Sequence, residues 1–273
     1  MRTLLAMAAL KLAVACHSAW AGLASPDGIP APERESTFGL LQRPVIDGVK
    51  FVVGNDLWQP GNHYRTGVHW LALSCTKTAC LFEAAKLVVR RQKWQGHYDD
   101  EATVGQHLTF SKVKRSEGKV IGWFLPDAKH AWLKPGRVTT YASNAGRIKR
   151  PLTQGTLEVV VDLPGGTQAI FVPLLDQAQS LFRLQLRAQG RRQLLGQIGG
   201  CSGTVSTDYM LWAGDLDGDD RADYLVSFVD ADGPTLLYLA RAAVANEIAG
   251  VAGIYNAPPD GGECDGGGWI AQY

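Results

Sequence analysis

Residues 214–223 read Gly-Asp-Leu-Asp-Gly-Asp-Asp-Arg-Ala-Asp, which puts five carboxylates into the nine positions 215–223. Like charges this close repel, and holding them together unneutralised costs several kcal/mol. A divalent cation is the natural compensation. Asp215, Asp217, Asp219 and Asp223 take positions 1, 3, 5 and 9 of the loop. On a tightly curved backbone, alternate positions aim their side chains inward. The backbone carbonyl of Arg221, at position 7, adds a further oxygen. Calcium takes about six to eight hard oxygens at ~2.3–2.6 Å, whereas magnesium demands strict octahedral geometry and keeps its waters. The spacing therefore predicts a Ca²⁺ site at Asp215, Asp217, Asp219, Arg221 and Asp223.

The loop is not an EF-hand, because position 12 is Val226, where a bidentate Glu is required. Its flanks also read as strands, Tyr209–Trp212 before it and Tyr224–Val229 after it. The stretch Trp212-Ala213-Gly214-Asp215-Leu216-Asp217-Gly218-Asp219, followed by Asp223-Tyr224-Leu225, resembles the calcium loop of FG-GAP/VCBS-type repeats. The resemblance is confined to about residues 212–226. It implies a structural ion that ties two strands together, with Asp215, Asp217, Asp219, Asp223 and the Arg221 carbonyl as ligands. Asp220 departs from the pattern, which has Gly there; Asp tolerates the left-handed conformation that such a turn needs.

The elements around the loop are short apolar runs separated by turn residues. The chain has 273 residues with 31 Gly and 13 Pro, a composition that favours many turns. Strands are expected at Val49–Val53, Val68–Ser74, Leu81–Ala85, Lys86–Lys93, Val120–Leu125, Val138–Ala142 and Thr235–Leu239. Pro164-Gly165-Gly166 separates Thr156–Leu163 from Thr167–Leu174 as a hairpin. Leu181–Ala188 alternates and turns at Gly190 towards Gln193–Ile198. A weak helical period marks only Ala240–Ala252. The expected class is mostly β, with antiparallel sandwich- or barrel-like sheets and the calcium loop between strands near the C-terminus. No internal repeat supports a complete propeller.

Charge divides the chain. Residues 22–197 carry 23 basic and 14 acidic side chains, while residues 198–273 carry 2 basic and 12 acidic. Mutual attraction of the two parts, or a cation bound by the acidic part, would account for this. The expected organisation is a signal peptide over 1–21, a lead-in over 22–44, a basic β-rich region over 45–197 and an acidic β region over 198–273, which can pack as one domain with the region before it.

Arg2, the apolar run from Leu4 to Ala15 and the small-x-small triplet Ala19-Trp20-Ala21 mark the leader. A competing reading takes Ala13-Val14-Ala15-Cys16 as a lipobox with Cys16 acylated. No stretch reaches the roughly 18 apolar residues of a membrane-crossing helix. The remaining Cys75, Cys80, Cys201 and Cys264 form an even set, favouring disulfides in an oxidising compartment. Cys75 and Cys80 flank a hairpin loop, which leaves Cys201 to pair with Cys264. Zinc would need suitably spaced His partners, and none stands near either pair.

No catalytic residue is expected from motif. Gly200-Cys201-Ser202-Gly203-Thr204 misses the G-x-S-x-G pattern. His63 and His69 lack a nearby acid, and His97–Glu101 reads as a solvated loop. Asp230 and Asp232 read as a hairpin turn, and Gly261–Trp269 as a cystine-tied loop. The basic stretches Lys112–Lys119 and Arg147–Arg150 lack interleaved aromatics, so nucleic acid is not an expected partner. Trp58, Trp70, Trp94, Trp123 and Trp132 read first as core. The expected function is a periplasmic or secreted bacterial-type envelope protein, a non-enzymatic binding or structural module for an envelope polymer or a protein ligand. The alternative is an exported hydrolase braced by calcium.

Overall fold

The computed structural model describes residues 45, 47–54, 57–61, 63–94, 102–111, 118–145, 158–176, 181–198, 209–228 and 234–256. The expected leader and lead-in, residues 1–44 (Cys16 included), Cys201, Cys264, His97–Glu101, residues 112–117, Arg147–Arg150, Asp230, Asp232 and Gly261–Trp269 lie outside the described residues.

The described chain is mostly β, as its apolar runs imply. The strands are β1 (Phe51–Val52), β2 (Leu57–Pro60), β3 (His69–Cys75), β4 (Cys80–Trp94), β5 (Thr103–Phe110), β6 (Lys119–Phe124), β7 (Gly136–Ser143), β8 (Val159–Asp162), β9 (Gln168–Asp176), β10 (Leu181–Ala188), β11 (Arg191–Ile198), β12 (Met210–Asp215), β13 (Asp223–Ser227), β14 (Thr235–Leu239) and β15 (Gly250–Tyr255). Every pairing among them is antiparallel. The larger sheet runs β1-β6-β3-β4-β7-β12-β13-β14-β15, with β5 on the far half of β4 and β2 on β5. Its two ends meet where Val49 N–H donates to Ala252 O at 2.8 Å, so the sheet nearly closes into a barrel. The smaller sheet runs β11-β10-β9-β8.

The β12–β14 strands are buried on both faces, which explains why their sequences are continuously apolar rather than alternating. Trp212, Leu225, Leu237 and Leu239 point into the barrel core with Phe51, Leu73, Phe82 and Phe124. Met210, Ala213, Tyr224, Val226, Leu236 and Tyr238 face the small sheet and pack on Phe171, Leu184, Leu186 and Leu195. The Tyr238 hydroxyl donates to Leu195 O at 2.8 Å and ties the two layers. The basic and acidic stretches share one sheet through the β7–β12 pairing.

The helical period at Ala240–Ala252 does not become a helix. One 3-10 turn covers Ala240–Ala242, and Asn246 takes a φ of 71°, which breaks any continuation. The apolar residues from Gly250 onward serve instead as β15, which pairs with β14. The runs Leu81–Ala85 and Lys86–Lys93 are one strand, β4, which pairs with β3 and β7 in its first half and β5 in its second. Cys75 faces Cys80 across the β3–β4 hairpin, with sulfurs 2.01 Å apart, as a disulfide. No described helix is long and apolar enough to cross a membrane.

Candidate metal centre

The antiparallel register of β12 with β13 sets Gly214 opposite Asp223. Asp215 thus closes one strand and Asp223 opens the next, and the loop between them carries Asp217 and Asp219. The backbone is tightest at Gly214. A Cβ there would lie 2.2 Å from Thr139 O and 2.4 Å from Cζ2 of Trp212, so only glycine lets β12 approach β7 this closely. The β7–β12 register also skips Tyr141, a bulge beside the loop of the kind that re-aims a strand end.

Backbone N–H groups wrap the carboxylates. Asp215 Oδ1 accepts from Gly218 N at 2.7 Å and Asp219 N at 3.1 Å, and its Oδ2 accepts from Asp220 N at 3.1 Å. This curl requires left-handed backbone at Gly218 (φ 79°) and at Asp220 (φ 62°). Asp223 is fully buried. Its Oδ2 accepts from Leu216 N and its Oδ1 from Ala240 N, both at 2.8 Å, so it joins the loop to the turn after β14.

Ligand oxygens of Asp215, Asp217 and Asp223 lie within 4.8 Å of one another. Asp219 is not one of this trio: its Oδ2 accepts from Nε and Nη2 of Arg221 at 2.9 and 2.6 Å. Arg221 itself is exposed, and its main-chain N–H donates to Asp219 Oδ1 at 2.9 Å.

The electrostatics of the trio are those of crowded acids out of water. Burial, with the charges of Asp217 and Asp219 adding to it against two backbone hydrogen bonds, pushes the Asp223 carboxyl up to about 8. Burial and the neighbouring Asp219 and Asp215 charges also raise Asp217, while Arg241 opposes them. The Asp217 side chain is 1% exposed, and its Oδ2 has no hydrogen-bond partner. The field extends further: burial first, then the charges of Asp215, Asp223, Asp220 and Asp219, raise the Tyr141 hydroxyl.

Among the described residues, one cation faces the trio. Nε of Arg241 is 3.1 Å from Asp217 Oδ2. The same guanidinium donates through Nε and Nη2 to Asp47 Oδ2 at 2.9 and 2.6 Å and stacks over Trp132 at 5.2 Å. Asp47 in turn neighbours the buried ring of His130, whose Nε2 is 3.2 Å from Asp47 O and whose Nδ1 is 2.7 Å from Asp127 Oδ1. Asp47 and Arg241 carry no local motif and lie far apart in sequence. Only the fold shows that they border the loop.

No family model, curated protein or solved structure matches this chain. The chemistry of the trio therefore rests on its own geometry. One guanidinium cannot neutralise several buried carboxylates, and Asp217 Oδ2, though beside Arg241, is buried without a hydrogen bond to replace its lost water. A hard divalent cation fits both needs, because all the converging donors are carboxylate oxygens. His63 and His69 are exposed and form no ion pair with a described residue. Trp70 and Trp123 are buried core residues.

Proposed function

We propose that this chain is an exported envelope protein of bacterial type, a non-enzymatic β module whose β12–β13 loop is fixed by calcium. The observation that carries this reading is the convergence of Asp215, Asp217 and Asp223, whose ligand oxygens lie within 4.8 Å of one another, with Asp217 Oδ2 buried and lacking a hydrogen bond. Bound there, the ion would supply charge neutralisation and oxygen coordination, with Asp219 and the Arg221 carbonyl completing the ligand set as the FG-GAP/VCBS-type resemblance implies. Asp215 and Asp223 stand at the ends of adjacent strands, and Asp223 also holds Ala240 N. Fixing these carboxylates therefore braces β12, β13 and the exit of β14 together, a role in stability.

The Cys75–Cys80 disulfide and the leader-like residues 1–21 support an oxidising, exported setting, periplasmic or secreted. The partner in this reading is an envelope polymer or another protein. Thermal unfolding tests the calcium assignment. Calcium, by binding only the native chain, raises the melting midpoint, and Asp217→Ala loses most of the increase. A midpoint indifferent to both calcium and chelator contradicts the assignment.

A further inference from the structure

A second site lies in a gap of the large sheet. β4 is one continuous strand, but its flank opposite β3 is shared by two partners. β7 pairs with Cys80–Phe82, and β5 pairs from Leu87 onward. Between them opens a cavity of about 1080 Å³. No residue of the aspartate trio lines it, so the cavity is independent of the calcium reading.

The gap leaves main-chain groups unpaired. In an antiparallel ladder, alternate residues point their N–H and C=O to opposite sides of the strand. Lys86 sends both towards β5: its N–H donates to Ser111 Oγ at 2.8 Å, and its carbonyl accepts from Ser111 N–H at 2.9 Å. Leu87 turns the other way, donating to Val68 O at 3.2 Å and accepting from Gly67 N–H at 2.9 Å. By the same alternation Ala84 N–H and C=O point into the gap, where no described residue pairs with them. Ala84 is exposed and lines the cavity. β7 cannot extend to close the gap, because Pro135 has no N–H and Lys134 N–H donates instead to Trp132 O at 2.9 Å.

These features define the ligand. An unpaired donor and acceptor on one strand residue are matched by the C=O and N–H of another extended chain. The gap is short. Ser111 fills it opposite Lys86 and Gly136 opposite Phe82, which leaves room beside Glu83–Ala85 for about three extended residues. A continuous strand would collide with both, whereas a chain end fits. The rim chooses which end. Lys86, Arg137 and His69 line the cavity and are exposed, while Glu83, the one acid among the described lining residues, is 9% exposed. We propose that the gap binds the carboxy-terminal end of an extended peptide, which pairs with the Ala84 main chain and sets its terminal carboxylate at the basic rim.

The test is titration of the purified full chain with N-acetylated tripeptides ending in Ala, Val or Leu. Each is offered as the free acid, as the C-terminal amide, and as the acid N-methylated at its middle residue. Calorimetry gives the affinities, and the Ala84 amide signal in nitrogen–proton NMR spectra gives the place. The acids should shift that signal and bind about tenfold tighter than the amides, the usual worth of one charged contact. Changing Lys86→Ala and Arg137→Ala together should erase this advantage. N-methylation, which removes the N–H that Ala84 O would accept, should weaken the acids about tenfold. Ala84→Pro removes a donor that no strand of this chain uses, and should abolish binding with little change in the melting midpoint. If that variant melts far lower, the N-methylated peptides decide. Equal affinity of acid and amide, undiminished binding after N-methylation, an unmoved Ala84 signal, or no heat with any of the peptides would each overturn the proposal.

Discussion

Nε of Arg241 lies 3.1 Å from Oδ2 of Asp217, the one oxygen of the aspartate trio that is buried without a hydrogen-bond partner. A guanidinium and a metal ion cannot both sit against that oxygen at full strength. Arg241 has a second anchor in Asp47 and a platform in Trp132, so it can yield Asp217 without losing its position. Arg241→Gln should therefore tighten calcium binding several-fold while lowering the stability of the calcium-free chain. Calorimetric titration of the two proteins measures the first effect, and thermal melts in chelator measure the second. Weaker calcium binding in the variant would make Arg241 a support of the site rather than its competitor.

The pH dependence of stability between about pH 4 and 8 should be abolished by calcium. The Asp223 carboxyl ionises near 8 in the native chain, against an ordinary 3.8. The calcium-free native state thus holds a proton that the unfolded chain releases. This stabilisation is complete below about pH 4 and is lost as pH rises through about 8. The slope in that window is about 1.4 kcal/mol per pH unit for one proton. Asp217 is shifted in the same direction and adds to it. Calcium would hold the carboxylates ionised in the native chain as they are in the unfolded one, so in saturating calcium this slope should disappear over the same window. Denaturant titrations at several pH values check this, and Asp223→Asn should flatten the calcium-free profile.

Backbone geometry gives two substitutions with opposite outcomes. Gly214→Ala drives a methyl into Thr139 O and the Trp212 ring, and should cost about 1–3 kcal/mol or more, because neither neighbour is a flexible side-chain end. Asp220→Gly relieves a φ of 62° and should leave stability unchanged or raise it by up to about 1 kcal/mol. Chemical denaturation of both variants in chelator measures these effects. A neutral Gly214→Ala would mean that β12 and β7 are less closely apposed than described.

Much of this architecture is legible in the residues, and the exceptions have physical reasons. Pro164-Gly165-Gly166 announces its hairpin because only such residues turn the chain that sharply, and β8 and β9 flank it. Thr235–Leu239 is legible as a strand from its β-forming run alone. β15 is hidden because Gly, Ala and Val at near-helical spacing serve equally well as a strand once β14 offers an unpaired edge. β2 and β5 are masked by Pro60 and Gly105, residues that weaken strand patterns but suit a close crossing: a Cβ on Gly105 would meet Gln59 O at 2.3 Å. At the site, the alternation of Asp215, Asp217 and Asp223 is a local signal, and the structure brings these carboxylates together. Arg241, Asp47 and Trp132 reach the loop only through long-range packing, for which a single sequence carries no sign.

The central claim is that calcium sits among these carboxylates. Diffraction from crystals grown in calcium, collected at a wavelength where calcium scatters anomalously, tests it most directly. The account predicts one strong anomalous peak within ~2.3–2.6 Å of oxygens from Asp215, Asp217 and Asp223. A loop with no peak, and with Asp217 Oδ2 still facing only the Arg241 guanidinium, would contradict it.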